Sequence, residues 1–302
     1  MMITRRKLLG NVGYGVAAGT LAASFPTLPA FAGTGLSGLD AMKADIAALE
    51  KKAGGRLGVA LLDTATGAAM DWRGGERFAM CSTFKFLASS FILSRVDAGK
   101  ERLDRAVPVT KADLVPWSPL SEPHIGGTMT MAALCEAAMI QSDNMAANLL
   151  LDQSGGPAAL TAYLRHLGDQ TTRLDRKEPK MNNVPENDPR DTTTPLSMLG
   201  LMRTILLGDA LSAASRERLT GWMINNKTGD TRLRAGLPGG WRIGDKTGGS
   251  DEASNDIAIL WPPGGGGPLL LASYYINGKV PTAQRNAVHA DVARLVAGAW
   301  AG

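Results

Sequence analysis

Residues 81–85 read Cys81-Ser82-Thr83-Phe84-Lys85 and open an apolar-periodic run that predicts a helix from Ser82 to Asp97. Residues three apart lie one turn apart on a helix, so we expect Lys85 directly behind Ser82. A serine hydroxyl is a weak nucleophile until a neighbour accepts its proton, and a lysine held close to it can lower that barrier. Ordinary residue usage gives roughly one Ser-x-x-Lys by chance in a chain of this length. A capping serine with a surface lysine is therefore the plainer interpretation unless partner motifs follow.

The composition is that of a globular chain with a large core, since 44% of the 302 residues are hydrophobic and 20% are charged. The three histidines and two cysteines show no metal-ligand spacing, so we expect neither a metal nor a cofactor. The formal net charge is +4, and the run Arg5-Arg6-Lys7 supplies three of these charges. The rest of the chain is nearly neutral and has no basic patch, which argues against a nucleic-acid partner.

The first 32 residues predict a signal peptide. The stretch Thr4-Arg5-Arg6-Lys7-Leu8-Leu9 precedes a mostly apolar run, Val12 to Phe31, which ends in Ala30-Phe31-Ala32. This is a charged n-region, an apolar h-region and an A-x-A cleavage site, and two prolines in the run argue against a permanent membrane anchor. The arginine pair indicates twin-arginine export. We therefore expect cleavage near Ala32 and a periplasmic or secreted mature chain, 33–302.

The order of the predicted elements indicates an α/β (α+β) fold. One helix and two strands precede a block of helices, and three strands and a last helix follow it. This order predicts an antiparallel sheet flanked by N- and C-terminal helices, in a sheet lobe of about 33–80 and 220–302, with an inserted helical lobe of about 81–219. The crevice between the lobes is the natural place for a site. The predicted helices are 36–53, 82–97, 130–140, 143–153, 157–166, 195–208, 212–224 and 282–299, and the predicted strands are 56–63, 68–73, 241–246, 255–261 and 269–276.

Two short motifs downstream carry hydroxyl, amide and amine groups. Ser142-Asp143-Asn144 lies between two predicted helices and alone favours an N-cap, although its serine could relay a proton and its asparagine could hold a substrate amide. Lys246-Thr247-Gly248 ends a predicted strand, where an amine and a hydroxyl can bind a carboxylate and a glycine allows close approach of a ligand. A second copy, Lys227-Thr228-Gly229, follows a helical run and is interpreted as a helix-ending turn.

The polar segment from Asp169 to Thr194 has three prolines and no clear period. A loop of this length in a compact region is usually functional or disordered. Within it, Glu178 beside Asn182 could hold and activate a water, although a solvated acid is the usual expectation for any single glutamate. Arg176 and Asp191 are expected to pair across the neck of the loop.

Taken together, Ser-x-x-Lys, Ser-Asp-Asn and Lys-Thr-Gly, with a glutamate loop between the last two, resemble the motifs of the class A serine β-lactamases. The resemblance covers about residues 36–295. It implies a β-lactamase-like fold that hydrolyses penicillins or cephalosporins, small-molecule β-lactams, through an acyl-enzyme on Ser82. A monomer is the default expectation for the chain.

The resemblance further implies roles for individual residues. Lys85, or Glu178 acting through a water, accepts the serine proton, and Ser142 passes a proton to the lactam nitrogen. Glu178 with Asn182 activates the water that releases the acyl group. The implied binding groups are the backbone N–H groups of Ser82 and Gly249 for the oxyanion, Asn144 for the acylamido side chain, Lys246 and Thr247 for the carboxylate, Gly248 and Gly249 along the strand edge, and Trp117 as an aromatic gate. A half-buried packing role for Trp117 is an equal alternative.

Two departures from the family pattern lead to further expectations. Asn255 stands where many members place an arginine for the substrate carboxylate, so we assign this role to Arg232, at an alternative position, and expect its loss to leave the fold nearly unchanged. Family disulfides use positions 89 and 135 or positions 81 and 250. Serines at 89 and 250 interrupt both pairs, so Cys81 and Cys135 are expected to be free thiols.

Two other kinds of protein share part of this pattern. A D-alanyl-D-alanine peptidase has the serine, the lysine and Lys-Thr-Gly but lacks the deacylating glutamate loop. A β-lactam sensor domain acylates and stops, and it needs membrane spans and a signalling portion. Glu178 argues against the first, and the cleavable-looking leader argues against the second.

Overall fold

The structure is a computed structural model that describes residues 36–183, 185 and 187–300. The predicted signal peptide, residues 1–32, lies outside the described residues. The helices are α1 (Leu36–Ala53), α2 (Phe84–Asp97), α3 (Met131–Ile140), α4 (Asn144–Ser154), α5 (Gly156–His166), α6 (Pro195–Leu206), α7 (Ala213–Ile224), α8 (Leu233–Gly236) and α9 (Thr282–Trp300). The strands are β1 (Arg56–Asp63), β2 (Ala69–Trp72), β3 (Phe78–Ala79), β4 (Ala106–Pro108), β5 (Thr128–Thr130), β6 (Thr192–Thr193), β7 (Arg242–Gly249), β8 (Ala253–Trp261) and β9 (Leu269–Ile276).

Five strands form one antiparallel sheet in the order β2-β1-β9-β8-β7. Both ends of the chain contribute to it, since β1 pairs with β9 from Arg56↔Ile276 to Asp63↔Leu269. The predicted α+β fold, with an antiparallel sheet completed by both chain ends, is confirmed. Strand β7 is at one edge, so one side of its backbone has no strand partner in this sheet.

Both faces of the sheet are covered. On one face, Val59 and Leu271 pack with Ile46 of α1 and Val292 of α9. On the other face, a larger core joins β8 and β9 to the helices from α2 to α7, and Tyr274 is fully buried within it. Strands buried on both faces show little polar alternation, which explains the weak period of β1. Because this core runs without a break from sheet to helices, the lobe boundaries near residues 80 and 219 stay a prediction.

Two element boundaries correct the sequence interpretation where it matters for the site. Ser82 does not begin an α-helix, because Cys81–Thr83 is a 3₁₀ turn and α2 starts at Phe84. A 3₁₀ turn has three residues per turn, so residues three apart still stack. Strand β7 does not end at Lys246 but continues to Gly249, which places the whole Lys-Thr-Gly motif on the edge strand.

The short pairs β3–β6 and β4–β5 and the single-turn helix α8 were not predicted. They are two to four residues long, too short to show a period. In the described part of the chain, no helix is long and apolar enough to cross a membrane.

Candidate active site

The predicted site residues meet in a cleft of about 270 Å³ between the edge strand β7 and the helices. The cleft is lined by Ser82, Trp117, Ser142, Asn144, Asn182, Thr228, Arg232, Thr247, Gly248 and Gly249. Three of the four predicted charged residues, Lys85, Glu178 and Lys246, lie behind this surface, with 0%, 4% and 0% of their area exposed, and the fourth, Arg232, lines the cleft. The sequence motifs are therefore brought together, with their charges shielded from bulk water.

Ser82 is the middle residue of the 3₁₀ turn Cys81–Thr83. Cys81 has a φ of 44°, a left-handed value that is uncommon for a residue other than glycine. The edge strand presses on this turn, because a Cβ on Gly248 would lie 2.7 Å from Met80 O and 3.2 Å from Ser82 N. The glycine of Lys-Thr-Gly thus allows the strand to approach the nucleophile, in addition to any ligand.

Lys85 is a fully buried amine surrounded by acceptors. Its Nζ donates to Ser82 Oγ at 2.9 Å, to Ser142 O at 2.7 Å and to Asn144 Oδ1 at 2.5 Å. Glu178 Oε1 lies 3.3 Å from the same nitrogen. Burial lowers the pKa of Lys85, and the charge of Glu178 opposes that shift. An ammonium group has no lone pair, so Lys85 can accept the Ser82 proton only after losing one of its own.

Glu178 contacts the nucleophile directly. Ser82 Oγ donates to Glu178 Oε1 at 3.1 Å, and Asn182 Nδ2 donates to Glu178 Oε2 at 2.6 Å. The backbone of Glu178 is held on both sides by Asn148 of α4, whose Oδ1 accepts the Glu178 N–H at 3.0 Å and whose Nδ2 donates to Glu178 O at 2.9 Å. Asn148 was not predicted, since a single polar residue inside a helix carries no motif.

The neck of the glutamate loop is closed by the predicted ion pair. Arg176 Nε lies 2.5 Å from Asp191 Oδ2. The other carboxylate oxygen of Asp191 accepts the backbone N–H groups of Asp175 and Arg176 at 2.7 Å and 2.9 Å. A buried carboxylate with several donors fixes the ends of the loop, so the position of Glu178 does not depend on an isolated contact.

Ser142 lies between two lysines. Its Oγ is 3.0 Å from Lys246 Nζ and 3.3 Å from Lys85 Nζ. Burial lowers the pKa of Lys246, and the positive charge of Lys85 acts in the same direction. A hydroxyl has two acceptor lone pairs and one proton. Either amine can therefore donate to Ser142 Oγ while the Ser142 hydroxyl directs its own proton into the cleft.

Asp143 caps α4, as its residue type suggested, and also anchors the loop that carries Trp117. Its carboxylate accepts the N–H of Ala146 at 2.8 Å and the N–H groups of Leu120 and Ser121, each at 2.9 Å. Trp117 is 62% exposed, with its Nε1 donating to Gln141 O at 2.9 Å. The half-buried packing role considered for Trp117 is therefore wrong.

Arg232 stands at one end of the cleft and joins the two strands there. Its Nη1 donates to Gly248 O and to Asn255 O, each at 2.6 Å, and its Nε donates to Asn286 Oδ1 at 3.0 Å. A Cβ on Gly249 would lie 3.4 Å from Nη2, so this nitrogen is next to the cleft edge. These contacts argue against the expectation that losing Arg232 leaves the fold nearly unchanged, because two strand carbonyls would lose a donor.

Asn255 does not face the cleft. Its Nδ2 donates to Ala79 O at 2.9 Å and to Met80 O at 3.1 Å, on the sheet face opposite Arg232. The β8 residue on the side of Arg232 is Ser254, whose Oγ donates to the same Asn286 Oδ1 at 2.8 Å. The side chain of Asn255 is therefore not placed to contact a substrate carboxylate in the cleft.

Thr228 belongs to the cleft, although the sequence interpretation set the triplet 227–229 aside as a turn. Its Oγ1 lies 2.5 Å from Thr247 Oγ1, so the central residues of the two Lys-Thr-Gly copies touch. The repetition of the Lys-Thr-Gly triplet in the sequence was the signal that could have pointed to Thr228.

Across residues 36–183, 185 and 187–300, no group of three or more His, Cys, Asp or Glu is placed to hold a metal ion.

Comparisons with known proteins agree with this geometry. A family model described as the β-lactamase enzyme family matches residues 41–300. Beta-lactamase L2 of Stenotrophomonas maltophilia is 45% identical over 306 residues, covering 97% of this chain and 98% of that protein. Beta-lactamase CTX-M-8 of Citrobacter amalonaticus is 46% identical, covering 83% and 86%.

Solved structures give the same result. An ancestral (GNCA) class A β-lactamase is 57% identical with a TM-score of 0.84, covering 85% of this chain and 99% of that one. A β-lactamase from Xanthomonas campestris pv. campestris is 48% identical with a TM-score of 0.85, covering 87% and 98%.

Proposed function

Because this chain belongs to the class A serine β-lactamase family, we propose that it hydrolyses the amide bond of penicillins and cephalosporins through an acyl-enzyme on Ser82, and so confers resistance to these antibiotics. The observation that carries the proposal is the position of Ser82 Oγ, 3.1 Å from a buried carboxylate oxygen and 2.9 Å from a buried amine. A nucleophile with a proton acceptor and a donor in reach, at the floor of a cleft, is the arrangement that acyl transfer needs.

In the acylation step, Ser82 Oγ attacks the lactam carbonyl. Its proton goes to Glu178, directly or through a water, or to Lys85 once that amine is neutral. The backbone N–H groups of Ser82 and Gly249 stabilise the oxyanion, and the close approach of Gly248 to Ser82 N supports this assignment. As the C–N bond breaks, the lactam nitrogen takes the Ser142 proton, which Lys246 or Lys85 replaces.

In the deacylation step, a water attacks the ester carbonyl. Glu178 accepts a proton from that water, and Ser82 Oγ leaves and recovers a proton. The Glu178–Asn182 contact supports this role, because it fixes one carboxylate oxygen and leaves Asn182 Oδ1, which has no partner among the described residues, to accept from a water.

The substrate contacts follow from the lining of the cleft. Lys246 and Thr247 bind the carboxylate, with Nη2 of Arg232 beside them, and Asn144 contacts the acylamido group. Trp117 forms an exposed aromatic wall, and Gly248 and Gly249 provide the strand edge. A peptidase or a sensor domain has no use for a carboxylate poised for hydrolysis of the acyl-enzyme, so the position of Glu178 favours the hydrolase over both.

The experiment that tests the proposal is the turnover of a chromogenic cephalosporin by residues 33–302. We expect many turnovers per molecule and none from Ser82→Ala. A single stoichiometric burst that leaves a stable adduct would instead assign the chain to the penicillin-binding or sensor proteins.

The destination of the chain is a separate proposal. We propose that residues 1–32 direct twin-arginine export and are removed near Ala32, leaving a periplasmic or secreted monomer without a membrane anchor. Replacing both Arg5 and Arg6 with lysine keeps the charge but should retain the activity inside the cell, since the signal is read by a receptor. Export of this variant at the normal level would exclude the twin-arginine route. A mass near that of one chain in light scattering would support the monomer.

A further inference from the structure

The two Lys-Thr-Gly triplets meet at the carboxylate end of the cleft and continue into the interior. Thr228 contacts Thr247 on one side and Asn226 on the other, and Asn226 Nδ2 donates to the buried carboxylate of Asp245 at 2.5 Å. The turn is pressed against this carboxylate, because a Cβ on Gly229 would lie 2.0 Å from Asp245 Oδ2. A continuous row of hydrogen bonds thus runs from Asp245 to the cleft surface.

The direction of each bond in this row is fixed by one backbone group. The N–H of Thr228 can only donate, and it lies 3.1 Å from Asn226 Oδ1, so the amide oxygen faces Thr228 and the NH₂ faces Asp245. Thr228 Oγ1 is 2.8 Å from the same amide oxygen, which only accepts, so Thr228 donates its single proton there. The proton in the Thr228–Thr247 bond is therefore the one that belongs to Thr247.

This arrangement leaves Thr247 without a proton to offer the cleft. Its lone pairs face the ligand, whereas a carboxylate is an acceptor only. For Thr247 to bind the carboxylate, its proton must turn into the cleft. The oxygens Thr228 Oγ1 and Thr247 Oγ1, 2.5 Å apart, would then have no proton between them. The Thr228 proton must therefore turn towards Thr247 at the same time.

We infer that Thr228 is a positioning residue that switches Thr247 from acceptor to donor when a substrate carboxylate arrives. The inference rests on the proposed function and names a residue outside the motifs that carry it. In the bound state, Thr228 donates to Thr247 Oγ1, and Thr247 donates to the carboxylate. Asn226 Oδ1 keeps the N–H of Thr228, so no buried group loses its last partner. Successive hydroxyl donors polarise one another, which strengthens the bond to the carboxylate.

The test compares a penicillin with its neutral methyl ester in the full mature enzyme. Thr228→Val keeps the shape of the side chain and removes the hydroxyl. We expect KM for the penicillin to rise about five- to tenfold with kcat nearly constant, since a charge-assisted bond is weakened rather than removed. The ratio of mutant to wild-type kcat/KM should stay near one for the ester, because the ester carries no carboxylate.

Two further variants separate positioning from packing. Thr228→Ser restores the hydroxyl and should return KM for the penicillin to about the wild-type value. With Thr247→Val already in place, Thr228→Val should have no further effect, since the group it positions is gone. Equal losses on acid and ester, failure of the serine variant to rescue, or additive effects of the two valine variants would each overturn the inference. A wild-type enzyme that turns over neither compound would instead overturn the proposed function, and this inference with it.

Discussion

Replacing Glu178 with glutamine changes charge with almost no change of shape, and it tests the deacylation step. Asn182 Nδ2 requires an acceptor, so the oxygen of the new amide will face Asn182 and its NH₂ will face Ser82 and Lys85. The water that attacks the acyl-enzyme then has no base to accept its proton. Loss of a positioned general base costs about 10²–10⁴ in rate, or about 3–5 kcal/mol in the activation free energy.

Acylation should fall less than deacylation in this variant. Lys85 loses the negative charge 3.3 Å from its amine, and this charge was the main influence that opposed the effect of burial on the Lys85 pKa. A neutral Lys85 becomes more accessible and can accept the Ser82 proton. The acyl-enzyme should therefore accumulate, because it forms faster than it is hydrolysed.

Intact-mass spectrometry after mixing with a penicillin gives the readout. Glu178→Gln should carry one added penicillin mass on the peptide that contains Ser82, with a half-life of minutes or longer, whereas Ser82→Ala should carry none. Glu50→Gln is the matched control, because Glu50 is similarly buried and is bonded to Arg73 away from the cleft. Hydrolysis by Glu178→Gln at the wild-type rate would refute the assignment of the base.

Three further predictions concern binding, redox state and pH. Arg232→Ala should reduce kcat/KM for carboxylate-bearing β-lactams, with a loss of about 1.5–3 kcal/mol in transition-state stabilisation, and should also lower Tm. Wild-type kinetics in this variant would assign carboxylate binding to Lys246 instead. Thiol titration of the denatured, unreduced protein should find both Cys81 and Cys135, which are buried and free in the described structure; finding neither would mean a disulfide. Burial lowers the pKa of His289 from 6.5 to about 3. Between these two pH values His289 is protonated in the unfolded chain but neutral in the folded one. The free energy of unfolding therefore falls as the pH drops, by up to about 1.4 kcal/mol per pH unit. His289→Gln should remove this slope in denaturant midpoints, and an unchanged slope would contradict it.

Long elements and the reactive motifs could be predicted because each carries its own signal. Helix α1 and strands β1 and β9 occupy the predicted ranges, since periodicity accumulates over eight residues or more. Ser82 and Lys85 stack as expected because a three-residue spacing serves a 3₁₀ turn as well as an α-helix.

The supporting contacts could not be predicted because they join distant parts of the chain. Asn148 holds Glu178 across 30 positions, and Thr228 contacts Thr247 across 19. The Asn148 contact leaves no local pattern, and the repeat of the Lys-Thr-Gly triplet does not by itself show that its two threonines touch. The orientation of Asn255 depends on the register of β7 against β8, and a shift of one residue moves a side chain to the other face of a sheet.

Helix α4 gives three parts of the enzyme a common frame. Its capping residue Asp143 fixes the loop of Trp117, its first residue Asn144 contacts Lys85, and Asn148, about 6 Å further along the axis, holds the backbone of Glu178. These groups are therefore tied to one helix. If the cleft widens or narrows, we expect the spacing between the amide-binding group and the deacylating base to be conserved, and the change to be taken up between the helices and the edge strand. The hydrolytic half of the reaction would then keep one geometry while the entrance adjusts to side chains of different width.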